Sequence, residues 1–136
     1  MKTRINHPDV TSPSPHVAAG VVCDGWFFVS GQGPLDMVTR QPVPGSIEEE
    51  THRTLQNIEA ILVAGGATLE HVVKCSCFLS DLADFRGFDS VYREFFSRAV
   101  PPVRTTVGTP LLAGIRVEID VIARLPEGAN STVYAE

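Results

Sequence analysis

The sequence predicts a two-layer α+β domain: one mostly antiparallel sheet with two helices on one face. Three observations carry this. Residues 46–66 and 82–100 have helical apolar spacing. Four short β-rich runs lie around them, at 17–34, 71–81, 103–109 and 115–125, the first of them split in two. The resulting order, ββαβαββ, over only 136 residues fits a single domain, 1–136, whose sheet is covered by its own helices.

The elements are read in chain order. Residues 1–15 form an irregular lead-in. "MKTRINHPDV" lacks the apolar core of a secretion signal, and "TSPSPH" is rich in proline and serine. In "VAAGVVCDGWFFVSGQGP" (17–34), Asp24-Gly25 separates two apolar runs and marks a hairpin. "GQGPLDMVTRQPVPG" (31–45) is a loop. "SIEEETHRTLQNIEAILVAGG" (46–66) is the clearest helix. Ser46 and Glu49 form a capping box, Glu48, Glu49 and Glu50 suit the positive end of the dipole, and Gly65-Gly66 end it. Ile47, Thr51, Leu55, Ile58 and Leu62 share its inner face.

"HVVKCSCFLSD" (71–81) is a strand with Val73, Cys75, Cys77 and Leu79 on one face and Val72, Lys74, Ser76 and Phe78 on the other. The second helix (82–100) places Phe85, Phe88, Tyr92, Phe95 and Phe96 on one stripe, which at this spacing is core. Pro101-Pro102 stop it. "VRTTVGT" (103–109) and "IRVEIDVIARL" (115–125) are the last strands, and 126–136 is a C-terminal tail.

Composition narrows the function. The net charge of −5 opposes nucleic-acid binding, which needs a basic face. No apolar run is long enough to cross a membrane, and the protein is expected in the cytoplasm. Cys23, Cys75 and Cys77 include no CxxC pair and no histidine pair sits at metal spacing, so reduced, buried thiols are expected and no metal site. An apolar second sheet face would pack on another copy of the chain.

Arg104, in "PPVRTTVG", stands out. No acidic residue occurs between Glu94 and Glu118. A guanidinium binds a carboxylate through two parallel bonds, so an arginine partnered by substrate rather than by protein is expected here.

Several stretches taken together resemble the RidA (YjgF) family of reactive-intermediate deaminases, from about His16 to Leu125. They are "FVSGQGP" (28–34), "TLQNIEAILVAGGATLEHVVKCSCFLSDLADF" (54–85), "YREFF" (92–96), "PPVRTTVG" (101–108) and "VEIDVIA" (117–123). The resemblance implies a chorismate-mutase-like fold and a homotrimer with sites at the subunit interfaces. It implies hydrolysis of 2-imino acids to 2-keto acids and ammonia without metal or organic cofactor. By the same resemblance Arg104 binds the substrate carboxylate, Glu118 helps to position water, and Ser30 and Gly31 line the pocket. His16 stands where the family's lid tyrosine falls, Asp89 where an asparagine is usual, and Thr106 where a cysteine is usual. A charged Asp89 in the pocket would disfavour a second carboxylate on the substrate. The alternatives are a pathway-specific deaminase of a ring-opened amino acid such as 2-aminomuconate, or a non-enzymatic ligand-binding trimer.

Overall fold

The computed structural model describes residues 1–126. The tail expected at 126–136 therefore lies almost entirely outside the described residues. Strands β1 (Lys2–Ile5), β2 (Gly20–Cys23) and β3 (Trp26–Gln32) are followed by a two-stranded flap, β4 (Leu35–Asp36) and β5 (Gln41–Pro42). Then come α1 (Ile47–Ala64), β6 (Val72–Leu79), α2 (Phe85–Phe96), β7 (Val103–Gly108) and β8 (Val117–Arg124). The main sheet runs β1-β2-β3-β8-β6-β7, with β6 and β7 parallel and the other pairs antiparallel. The expected mostly antiparallel mixed sheet with two helices is what the chain forms.

The lead-in is not irregular throughout. Lys2–Ile5 pairs with β2 and buries Ile5 in the core. As an edge strand with one buried side chain, it has no apolar run to announce it.

Asp24 and Gly25 both adopt positive φ, 53° and 83°, the backbone that a two-residue turn between twisted strands requires. Ser46 accepts from the Glu49 amide and the Glu49 carboxylate accepts from the Ser46 amide, so the capping box is present. Glu50 does more than favour the dipole. It is buried, and its carboxylate accepts from the Arg116 and Gly45 amides, tying the start of α1 to the entry of β8.

The core lies between α1, α2 and one sheet face. Phe27, Val29, Cys75, Cys77, Leu79, Val117, Ile119 and Val121 meet Leu55, Ile58, Ile61, Leu62 and Phe88 there. Each fully buried large side chain contributes about 1.5–3 kcal/mol. A register shift between Val72 and Lys74 puts Val72 on this face and leaves Val73 exposed, the reverse of strict alternation. One extra residue at a bulge makes that exchange. On the opposite face Phe28, Val73, Val103 and Val107 remain exposed.

Candidate functional site

The predicted site residues fall into two groups on different faces of the sheet. Parallel pairing sets Arg104 beside Cys75 and Thr106 beside Cys77. Both therefore point to the face that the helices cover. Antiparallel pairing sets Glu118 beside Phe78, on the other face. With β6 between β7 and β8, the two strand axes are about 10 Å apart. One chain does not bring Arg104 and Glu118 onto a single small molecule.

The first group lies between β7 and α2. The guanidinium carbon of Arg104 is 4.5 Å from the Tyr92 ring centroid, 5.5 Å from Phe85 and 5.6 Å from Phe88. Aromatic faces attract a cation and fix the plane of the group. Nη1 donates to Asp89 Oδ1 at 2.7 Å, and Arg93 Nε donates to Asp89 Oδ2 at 2.9 Å. The expectation of an arginine without a protein partner is thus wrong. Asp89, one helical element earlier, supplies an anion that chain proximity to β7 does not reveal. Nε and Nη2 of Arg104 make no hydrogen bond among the described residues, and its side chain is 24% exposed. Burial pushes the Asp89 carboxyl up, but the hydrogen bond and charge of Arg104, then those of Arg93, outweigh this and hold it below the ordinary carboxylate range.

Two buried hydroxyls in this group, Thr106 Oγ1 and Tyr92 Oη, have no hydrogen-bond partner among the described residues. Each needs a partner or carries a desolvation cost. Beneath them, burial pushes the Cys75 thiol up to about 11 and the Cys77 thiol higher still. Both stay protonated near neutral pH and are poor nucleophiles. An open cleft of about 420 Å³ leads to Arg104, lined also by Asp89, Tyr92, Arg93, Phe96 and Pro102.

The second group lies where β3 breaks register against β8, between Val29 and Gln32. Gly31 is exposed there, and a Cβ on it would collide with the Glu118 carboxylate. Glycine leaves room for that carboxylate, and a larger residue would require the Glu118 side chain to shift. Ser30 Oγ donates to Ala19 O at 3.2 Å, and the Ser30 amide donates to the same carbonyl at 2.9 Å. The segment Ser14–Ala19 is thereby folded over Ser30, and Ser14, Val17, Ser30 and Gly31 line a cavity of about 160 Å³. His16 is exposed on this segment and does not line that cavity.

Two supports of this group escape sequence reading. His7 is 5% exposed; its Nδ1 accepts from the Asp9 amide, and its ring lies near the Asn57 side chain. Asn57 Nδ2 in turn donates to Gly33 O and Leu35 O at 3.1 and 3.0 Å. These two side chains hold the loop that follows Ser30 and Gly31. Among the described residues no cluster of three His, Cys, Asp or Glu side chains has a metal-binding arrangement. No described helix is long and apolar enough to cross a membrane.

Two helices packed on a mostly antiparallel mixed sheet define a small α+β protein. More particularly, the chain belongs to the family described as Endoribonuclease L-PSP, which matches residues 8–125 and takes in the RidA-like proteins. It is 44% identical to Protein DfrA of Myxococcus xanthus over 97 residues, 71% of this chain and 73% of that protein. It is 37% identical to the 2-iminobutanoate/2-iminopropanoate deaminase of Capra hircus over 103 residues, 76% of this chain and 75% of the relative. The crystal structure of E. coli TdcF with bound serine superposes with a TM-score of 0.82 at 28% identity, covering 91% of this chain and 99% of that one. Yeast Mmf1 superposes at 0.86 with 29% identity, over 93% of this chain and all of that one, 100%.

Proposed function

We propose that the protein hydrolyses 2-imino acids to 2-keto acids and ammonia, at sites completed between copies of the chain. Arg104 of one copy holds the substrate carboxylate. Ser30, Gly31 and Glu118 of a neighbouring copy supply the water side. The observation that carries this reading is the state of Arg104. Three aromatic rings and Asp89 fix its plane through one nitrogen, while Nε and Nη2 stay unengaged at the mouth of a cleft. Asp89 therefore orients the fork and leaves an edge with two donors for a carboxylate, a charge-assisted contact of about 1.5–3 kcal/mol.

The free edge strand β7 and the exposed apolar side chains Phe28, Val103 and Val107 support an assembly of copies. A homotrimer would carry the edge bearing Arg104 to the sheet face bearing Glu118 three times over. In the reaction, water oxygen bonds to the imine carbon while the Glu118 carboxylate accepts its proton. The C=N π pair goes to nitrogen, which takes a proton. The amine nitrogen of the resulting carbinolamine takes a second proton, the C–N bond breaks with its electron pair leaving on nitrogen as ammonia, and the hydroxyl proton is lost as C=O forms. Proteins of this family that are named as imine deaminases support the substrate class.

The test is ammonia and keto-acid release from imines generated by an amino-acid oxidase. Wild type should accelerate release, Arg104→Ala should abolish the acceleration, and Arg104→Lys should recover little of it because the fork is lost. Keto-acid binding that stabilises the fold with no ammonia release would instead favour a non-enzymatic binding protein.

A further inference from the structure

On the deaminase reading just given, we propose that Arg93 is a specificity-determining residue that selects imino acids carrying a second carboxylate. The argument starts from how Asp89 is shared. Its Oδ1 accepts from Arg104 and its Oδ2 from Arg93, at 2.7 and 2.9 Å. The three side chains sum to one positive charge. The expectation that Asp89 would repel a dicarboxylic substrate therefore does not hold, because its charge is already cancelled and a cation is left over.

Arg93 is placed to use that surplus. It sits one helical turn from Asp89 on α2, and its side chain is 76% exposed. Its Nη1 and Nη2 make no hydrogen bond among the described residues. Arg93 and Arg104 line the same open cleft of about 420 Å³, and the remaining lining residues other than Asp89 are uncharged. A ligand whose first carboxylate rests on the free edge of Arg104 extends into a cleft whose other cation is Arg93. A purely apolar side chain there gains nothing from it.

The experiment compares two imines made in situ, one from a dicarboxylic and one from a monocarboxylic amino acid, on wild type, Arg93→Gln and Arg93→Lys. The readout is the ratio of kcat/KM values, dicarboxylic over monocarboxylic. Arg93→Gln should lower the ratio about three- to fivefold, the size of an exposed ion pair, through KM and not kcat. Arg93→Lys should keep most of it. An unchanged ratio in Arg93→Gln, with equal losses on both imines, overturns the proposal and assigns Arg93 to support of Asp89 alone. Calorimetry with 2-oxoglutarate and 2-oxobutanoate reads the same selectivity without turnover. If wild type turns over neither imine but Arg93→Gln selectively weakens 2-oxoglutarate, the deaminase reading fails and the dicarboxylate site stands. If wild type does not prefer 2-oxoglutarate, the site fails whatever the turnover.

Discussion

Asp89 Oδ1 lies 2.7 Å from Arg104 Nη1, across 15 residues of chain and from helix to strand. The contact gives the guanidinium its direction, and of the two arginine charges near the proposed substrate carboxylate one is offset by the Asp89 charge. Asp89→Asn keeps an oxygen for Nη1 and removes that charge, so it should lower KM. Asp89→Ala removes the oxygen as well and should raise KM about tenfold, the equivalent of one charge-assisted bond. Steady-state kinetics on both variants checks the pair, since the two changes are expected to act in opposite directions.

The same carboxyl makes an acid-stability prediction. Its folded pKa is depressed, so its contribution is complete above the unfolded value of about 3.9 and is lost as pH falls through the lower folded value. Urea unfolding of wild type should weaken between about pH 5 and pH 2 more steeply than that of Asp89→Asn. Equal slopes would mean that the ion pair adds nothing to folding.

His7 sets a second window nearer neutrality. Burial lowers its pKa; the Asp9 charge and the nearby Asn57 side chain raise it in part, and Arg40 lowers it. The unfolded chain therefore takes up this proton first. Stability should hold above about pH 6.5 and decline as pH falls toward the lower folded value. His7→Asn should flatten that decline in urea titrations, and the loop carrying Gly33 should exchange its amides faster in that variant.

Thr106 separates a ligand contact from a structural one. Its Oγ1 is buried without a partner among the described residues, so Thr106→Val removes an unsatisfied group and should leave Tm unchanged or higher. If the hydroxyl meets substrate, KM should rise about threefold or more, the cost of one lost neutral bond. A drop in Tm would show that the hydroxyl serves the fold.

Much of the architecture is legible in the residues. Asp24-Gly25 announces the first hairpin and Ser46 and Glu49 the start of α1, because each is local chemistry, whereas α2 ends at Phe96, ahead of the Pro101-Pro102 pair expected to stop it. What is not legible depends on partners distant in the chain. Lys2–Ile5 becomes a strand only because β2 offers an edge. Val72 replaces Val73 in the core through a bulge set by β8. Asp89 meets Arg104 because α2 lies over β7. His7 reaches Asn57 on α1, and no pattern around "NHPD" suggests it. The sequence also names Arg104 and Glu118 together, whereas the pairing register puts them on opposite faces.

That separation makes mixed assembly the most direct test of the central claim. Arg104→Ala and Glu118→Gln chains, each inactive alone, are co-refolded in equal amounts, and oligomers holding both are purified. If each site takes Arg104 from one copy and Glu118 from the next, every mixed trimer regains both residues at one of its three sites, and about one third of wild-type deaminase activity should return. Mixed oligomers that stay as inactive as their parents would contradict a site shared between copies.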